Sequence, residues 1–485
     1  MIRRQSFYIV GVLLIILGFS MLFSVGCSLI YGDGDLIPLL QSIAVTITSG
    51  LILVIFFKSK DKKDLSTHDG FAVVTLGWIA IVIFSAFPFY FSGTLDYTNS
   101  FFEAMSGLTT TGATVLGHSD TLMIEELPHG ILFWRSFTQF IGGMGIIVFS
   151  IAILPMLGMG GVQLFRAEVA GPVADKITPR VKQTAKLLWG IYVGFVLILC
   201  LILKIEGMSW FDAICHSFTT IATGGFSTKN ISIAAYGGLI QWTIIIFMFL
   251  AATNFSLHYY FIAKGKFEYY KDHEFRVYFG LCIIFSILFF INIVGTNKYQ
   301  TDLLSFRHSV FAAVSILTTT GFSTENFNEW PEMSKMLLFF LFFIGGSAGS
   351  TTGGMKIIRS ILVVKYLLYE VRKLLHPKGV FNITIGENTI DDNVVRATLG
   401  FYLFYILIFV FTAMVLSMTG LDVTTALTAS ASAIGNIGPG LGSIGPTDNW
   451  GHLSDFAKWL TSFCMLLGRL EIFTVVVLFS RSFWK

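Results

Sequence analysis

The sequence predicts an all-α polytopic membrane protein, a unit of helix, half-helix, narrow loop and helix repeated four times behind an extra N-terminal transmembrane hairpin. Composition is the first ground. With 54% hydrophobic and 13% charged residues over 485 positions, and a mean hydropathy of +0.75, an ordinary soluble globule is excluded. An internal repeat is the second. Leu108-Thr109-Thr110-Thr111-Gly112-Ala113-Thr114 returns as Ile221-Ala222-Thr223-Gly224-Gly225-Phe226-Ser227-Thr228 and as Leu317-Thr318-Thr319-Thr320-Gly321-Phe322-Ser323-Thr324. A degenerate fourth copy is Gly435-Asn436-Ile437-Gly438-Pro439. The copies lie about 100 residues apart, too far for a solenoid and suited to a repeated membrane unit. The third ground is their setting: each follows a short Ser/Thr/Ala-rich apolar segment and stands between two much longer apolar ones.

In chain order, residues 1–66 make the N-terminal hairpin, with apolar runs near 7–30 and 36–57 joined by Tyr31-Gly32-Asp33-Gly34-Asp35. The first repeat, 67–186, runs through Phe71–Phe91, the half-helix Tyr97–Leu108 and a closing helix of about His129–Leu157. The second, 187–274, has Leu187–Ile205, Trp210–Ile221 and roughly Gly238–Ala263. The third, 275–392, has Phe275–Val294, Leu303–Leu317 and a closing segment from Lys335 to about Leu375. The fourth, 393–485, has Val394–Met418, Val423–Ile434 and Phe456–Phe479. Lys and Arg collect at every second junction: Arg3 and Arg4; Lys58, Lys60, Lys62 and Lys63; Arg166, Lys176, Arg180, Lys182 and Lys186; Lys264, Lys266 and Lys271; Arg481 and Lys485. The positive-inside rule then predicts ten crossings, both termini in the cytoplasm and the four loops outside.

The loops hold no metal-ligand set and no nucleophile–base pair. They offer carbonyl oxygens, and a glycine able to take the backbone angles that aim them inward. Four such loops around one axis would form a carbonyl ring able to replace a cation's hydration shell, with the negative C-termini of the half-helices directed at the same axis. The candidate ion-binding residues are therefore Thr110, Thr111, Gly112, Thr223, Gly224, Gly225, Thr319, Thr320, Gly321, Asn436, Ile437 and Gly438. Alignment on the glycines puts Asn99, Asp212, His308 and Thr425 in one column, where three of the four can act as helix N-caps and Asp212 could also raise the local cation concentration in the outer mouth, and pairs Glu103 with His216, which suit hydrogen bonding behind the loops. Net charge of +3 points to no nucleic acid, and Cys27, Cys200, Cys215, Cys282 and Cys464 are scattered without paired spacing.

Two enzyme motifs compete. Gly32–Asp35 matches the GxGD pattern of intramembrane aspartyl proteases, but in a polar turn and without a second intrahelical Asp. Gly345-Gly346-Ser347-Ala348-Gly349 matches GxSxG, the pattern of a serine nucleophile. An intramembrane serine hydrolase would need His258 as its base.

The third closing segment carries another reading. As one helix it would exceed ~50 Å, against a hydrocarbon core of ~30 Å. It is interrupted by Gly345-Gly346-Ser347-Ala348-Gly349-Ser350-Thr351-Thr352-Gly353-Gly354, after which Lys356, Arg359, Lys365, Arg372 and Lys373 belong at the cytoplasmic surface. Irregular backbone at membrane depth is tolerated when packed in protein or lining a wet cavity, so 345–354 reads as an intramembrane loop below the ring. Arg469, mid-helix in the last segment, must face a partner or water; loop carbonyls suit it better than Glu471, which points to another face. Beyond His376-Pro377-Lys378-Gly379, the alternation in Phe381–Ile385 before Gly386-Glu387-Asn388 suits a short cytoplasmic β-hairpin.

With the loops ending at Gly112, Gly225, Gly321 and Gly438, the extra hairpin, Gly345–Gly354 and Arg469, the chain resembles the TrkH/TrkG/KtrB/HKT superfamily of potassium transporters over essentially its whole length, and within it the bacterial TrkH group. The resemblance implies four M1–P–M2 potassium-channel-like repeats around one pore. It implies potassium uptake across the bacterial inner membrane, potassium being the transported ligand and no covalent cofactor being needed. It implies a homodimer in the lipid bilayer and cytosolic TrkA-type nucleotide-binding regulatory subunits. Gly345, Gly346, Ser347, Gly349, Gly353, Gly354 and Arg469 become gate residues, holding the pore shut until a cytosolic partner moves the basic helix. A proton- or sodium-coupled symporter is the other transport reading. No TVGYG-like run of the stricter potassium channels is present.

Overall fold

The structure is a computed structural model that describes residues 4–58, 67–117, 123–152, 177–296, 298–379, 381–386 and 388–484. Lys60, Lys62, Lys63, Arg166, Lys176 and the end of the first closing segment at Leu157 lie outside the described residues. Among the described residues the regular structure is helix, apart from one pair of two-residue strands.

Helices α1 (Arg4–Ser20), α2 (Leu22–Tyr31) and α3 (Leu36–Phe56) form the N-terminal hairpin, α1 lying along α3. Its turn has a structural task. Asp33 Oδ2 accepts from the His129 amide at 2.8 Å and Asp35 Oδ2 from the Ile131 amide at 3.1 Å, so two carboxylates sit on the N-terminal amides of α7 (His129–Ala152). The His129 amide and ring hold the Asp33 carboxyl below its ordinary pKa. Both carboxylates of the GxGD match are thus engaged by a helix end.

The first long segment of the core is α4 (Thr67–Ser85) with the short α5 (Phe87–Phe91), followed by α6 (Tyr97–Leu108) and α7. Next come α8 (Ile177–Ile205), α9 (Trp210–Ile221), α10 (Gly238–Ala251) and α11 (Phe255–Lys264). Then follow α12 (His273–Val294), α13 (Asp302–Leu317), α14 (Glu332–Leu341) and α15 (Ile357–Leu375). Strands β1 (Thr384–Ile385) and β2 (Asn388–Thr389) pair antiparallel as the expected hairpin. The chain ends with α16 (Asp392–Ser417), α17 (Val423–Gly435), α18 (Asp455–Arg469), α19 (Phe473–Val476) and α20 (Arg481–Trp484).

The long helices are apolar all round, as a bilayer demands and a soluble protein does not. In α12, Tyr278, Cys282, Phe285, Phe289 and Ile293 face inward while Ile283, Ile284, Ile287, Leu288 and Ile291 are exposed. Among the described residues, six of the ten expected segments are helical spans long and apolar enough to cross a membrane, with α1–α2 and α4–α5 each counted as one, and two more are bent pairs. The remaining two are α7, whose inward face carries Arg135, Ser136, Thr138 and Gln139, and the interrupted pair α14–α15.

Two segments expected as continuous helices are broken. The second closing segment bends by 96° between α10 and α11, and the last by 110° after Arg469. Neither break holds Gly or Pro. At the second, Glu471 and Ile472 are left-handed (φ 57° and 49°), an outlying conformation for a β-branched residue that only surrounding contacts sustain. A further correction concerns the half-helix caps. The capping side chains are Asp96, Ser209, Thr301 and Asp422, upstream of the aligned column. Asn99, Asp212 and Thr425 supply the capped amide instead, and His308 lies within the longer α13, bonding Thr324 Oγ1 at 2.8 Å.

Candidate functional site

The four short helices α6, α9, α13 and α17 end alike. After each comes a left-handed residue, then one more residue, then a left-handed glycine: Thr110 and Gly112 (φ 52° and 82°), Thr223 and Gly225 (52° and 79°), Thr319 and Gly321 (53° and 78°), Asn436 and Gly438 (53° and 103°). The first amides of each loop close their own helix. Thr110 N–H donates to Gly107 O at 3.0 Å and Thr111 N–H to Ser106 O at 2.9 Å, a Schellman termination; Thr223 and Gly224, Thr319 and Thr320, and Asn436 and Ile437 repeat it. A non-glycine residue in this conformation costs about 1–2 kcal/mol, and four such residues in equivalent places mark a shared geometric requirement.

That requirement is a closed ring. A Cβ placed on Gly112 would lie 2.1 Å from Gly224 O, one on Gly225 1.9 Å from Thr320 O, one on Gly321 1.9 Å from Ile437 O, and one on Gly438 2.6 Å from Thr111 O. Each glycine therefore abuts the next loop's backbone carbonyl, and the fourth loop closes on the first. All twelve sequence-identified residues lie in these loops. Side chains reinforce the ring, with Thr109 and Thr111 hydroxyls 2.7 Å apart, Thr318 and Thr320 likewise at 2.7 Å, and Asn436 Nδ2 donating to Thr111 Oγ1 at 3.0 Å.

Behind the ring, Glu103 and His216 hydrogen-bond as their shared column suggested. Glu103 accepts from Thr114 Oγ1 at 2.8 Å, Val115 N at 3.0 Å and Arg135 Nε at 2.6 Å. Arg135 also donates to Ser227 O at 2.8 Å and lies 3.7 Å over the Phe226 ring. Breaking such a buried pair from one side costs about 3–5 kcal/mol, so this pair fixes the first two loops as one piece. His216 Nδ1 donates to Asp212 O at 2.8 Å, which leaves Nε2 to accept from Ser227 Oγ at 2.9 Å.

The segment 345–354 is non-helical, buried for the most part, and seated against this ring. Thr351 Oγ1 donates to Ile221 O at 3.0 Å and lies 3.3 Å from Thr223 Oγ1, the Gly353 amide donates to Thr319 Oγ1 at 2.8 Å, and a Cβ on Gly353 would lie 2.5 Å from Gly435 O. The segment thus touches the second, third and fourth loops. It also fills the break between α10 and α11: Ser347 N–H donates to Ala252 O at 3.0 Å and Phe255 N–H to Gly349 O at 3.1 Å. Its ends are pinned by Gly345 N–H on Met355 O at 2.8 Å, and by Glu274 Oε1, which accepts from Ala348 N at 2.9 Å and Ile358 N at 3.0 Å. Arg469, 2% exposed, donates from Nη1 to Thr351 O at 2.8 Å and from Nη2 to Gly142 O at 3.2 Å, joining the segment to α7. Glu471 takes a different partner, Arg359 of α15 at 2.5 Å.

These contacts remove the hydrolase reading. The Ser347 hydroxyl has no hydrogen-bond partner among the described residues, and His258 is engaged at both nitrogens, by Tyr269 Oη at 2.7 Å and Leu250 O at 2.9 Å. Sequence reasoning did not single out Gln139, Arg135 or Glu274. Their signal was present, polar or charged side chains within or at the end of apolar membrane helices.

Fold and site together define a class: a polytopic helical membrane protein whose single chain builds a closed ring of four backbone loops, with an interrupted helix seated against it. The chain belongs to the TrkH family of cation transport proteins, whose family model matches residues 39–485. The family is one of transporters and not of enzymes. The Trk system potassium uptake proteins TrkH of Vibrio parahaemolyticus and Escherichia coli are 40% and 39% identical to it, over 99% and 98% of both chains. The crystal structure of the potassium transporter TrkH from Vibrio parahaemolyticus matches with a TM-score of 0.91 at 38% identity, covering 99% of each chain.

Proposed function

We propose that this chain takes up potassium across the bacterial inner membrane through one selective pore, with both termini cytoplasmic, as part of a homodimer. The observation that carries the reading is the closed ring, in which four loops of the same handedness meet carbonyl to glycine around one axis. Such a ring offers a dehydrated cation oxygen ligands of fixed position and no titratable group. The carbonyls around Gly112, Gly225, Gly321 and Gly438 are the ion ligands in this reading, and residues 67–186, 187–274, 275–392 and 393–485 its four pore repeats. Potassium uptake by the named relatives supports the choice of ion. Channel-like conduction is favoured over symport because the nearby carboxylates Glu103 and Asp212 are bound by Arg135 and Thr114 and by Thr228 and Ser209. Purified protein in potassium-loaded vesicles tests this. Rubidium and potassium should exchange while sodium is excluded, with many ions passing per opening in single-channel records. Flux at the protein-free level, or current strictly tied to a proton or sodium gradient, would overturn the reading.

Segment 345–354 and Arg469 serve as the gate in this reading, with α15 as its handle. The β1–β2 hairpin supports a docking role for a cytosolic TrkA-type nucleotide-binding subunit: Ile383, Ile385 and Ile390 pack with Ile358 and Leu362 of α15, so force on the hairpin reaches the gate. Replacing residues 380–390 by a Gly/Ser linker should abolish co-purification with the regulatory subunit while the channel stays dimeric. Undiminished co-purification would remove the hairpin from the docking surface.

A further inference from the structure

The ring has fourfold handedness but not fourfold chemistry. At the position before each glycine stand Thr111, Gly224, Thr320 and Ile437, and only the second lacks a side chain. The space that a side chain would take there is already filled. A Cβ on Gly224 would lie 2.4 Å from both Cδ and Oε1 of Gln139, which reaches in from α7. The Gln139 amide is fully buried and uses both of its ends on this loop, donating from Nε2 to Gly224 O at 2.7 Å and accepting from Phe226 N–H at 3.1 Å. One turn earlier on α7, Arg135 holds Ser227 O of the same loop. Among the described residues, no side chain donates to the matching carbonyls of Thr111, Thr320 or Ile437.

Three carbonyls at this level are therefore free of side-chain donors, and the fourth shares its oxygen with an amide. A donor at 2.7 Å sets a positive amide hydrogen beside that oxygen, which offsets part of its field on a cation and fixes its direction. Discrimination between monovalent cations follows the number and field strength of the coordinating oxygens, and the smaller, more strongly hydrated sodium needs the stronger field. We propose that Gln139 is a specificity-determining residue of the ring, lowering the field at Gly224 O and thereby favouring potassium over sodium. The inference rests on the filter reading above, and Gly224 and Gln139 act in it as one complementary pair.

Two substitutions separate the two ends of the amide. Gln139→Glu keeps an acceptor for Phe226 N–H and loses the donor to Gly224 O; Gln139→Met, close in shape, loses both. In vesicles, the potassium/sodium permeability ratio of both variants should fall by about fivefold, ~1 kcal/mol. A merely structural role would lower total flux and thermal stability and leave the ratio unmoved. Gly321→Ser, measured alongside, distinguishes the two levels. If Gly321→Ser shifts the ratio while both Gln139 variants stay within about twofold of wild type, the specificity role of Gln139 is overturned and the filter reading stands. If Gly321→Ser and the serine variants at Gly112, Gly225 and Gly438 also leave the ratio unchanged, the filter reading itself fails. Should Gln139→Met not fold, Gly224→Ala, whose Cβ displaces the amide, reads the same ratio, and an unchanged value there counts against the proposal equally.

Discussion

Arg469→Ala is expected to raise potassium flux through partner-free protein in vesicles by about tenfold or more, the effect of removing ~1.4 kcal/mol or more from the closed state. The guanidinium is buried and holds Thr351 O and Gly142 O together, so it ties segment 345–354 to α7. A charged hydrogen bond of this kind contributes about 1.5–3 kcal/mol, and two are lost. In the proposed gate its positive charge would also repel an approaching cation, a second barrier that alanine would lift. Arg469→Lys separates the contributions, because a single ammonium keeps the charge and cannot span both carbonyls. Lysine should therefore raise flux less than alanine. Shortening 345–354 by its Ser350–Thr352 part should act in the same direction as alanine. Wild-type flux in both the alanine and the shortened variant, with folded protein recovered in each case, would rule out this gate.

Gly321→Ser should lower the potassium/sodium permeability ratio by about tenfold, or ~1.4 kcal/mol of discrimination. Two penalties coincide at this position. Its φ of 78° disfavours any side chain, and a Cβ would sit 1.9 Å from Ile437 O, a backbone atom with no rotamer to yield. The loop must shift, and the shift moves the carbonyl that it abuts. The contact distances rank the four sites. Gly225 and Gly321 at 1.9 Å should be the most sensitive, Gly112 at 2.1 Å intermediate and Gly438 at 2.6 Å the most tolerant. Dual-isotope flux on the four serine variants checks both magnitude and order. Several variants with unchanged ratios, in protein that assembles normally, would remove the ring from selectivity.

The sequence disclosed most of this architecture, and for identifiable reasons. The half-helices Tyr97–Leu108 and Trp210–Ile221 were legible to the residue because their Thr/Gly termini and short apolar stretches are local signals. The interruption at 345–354 was legible because glycine density and excess length both announce it. The bends at Ala252–Asn254 and Leu470–Ile472 were not, since no local breaker stands there. The first is imposed by segment 345–354, which takes Ala252 O and offers Gly349 O to Phe255 N–H. At the second, Glu471 is held from outside by Arg359, and Ile472 N–H returns to Leu467 O. The capping column failed by three residues: Asp96, Ser209 and Asp422 do share a column of the glycine alignment, three places upstream of the one chosen, and only the third helix departs from it, α13 being 16 residues long where α6 and α9 have 12. Gln139 was visible only as a polar residue in an apolar helix; its target lies 85 positions away and is recognisable by a missing side chain.

The closure of Gly438 onto Thr111 O means that one polypeptide supplies every quarter of the ring. Stoichiometry is thereby written into covalent connectivity, and no assembly step can produce a ring of three or five members. Mutational dose is also different from that of a pore made of identical subunits, where one codon change strikes all four positions together. Here one substitution perturbs a single quadrant and leaves three intact. If the ring is the filter, selectivity can accordingly be adjusted in graded steps, and neighbouring quadrants are free to diverge, as Thr111, Gly224, Thr320 and Ile437 already have.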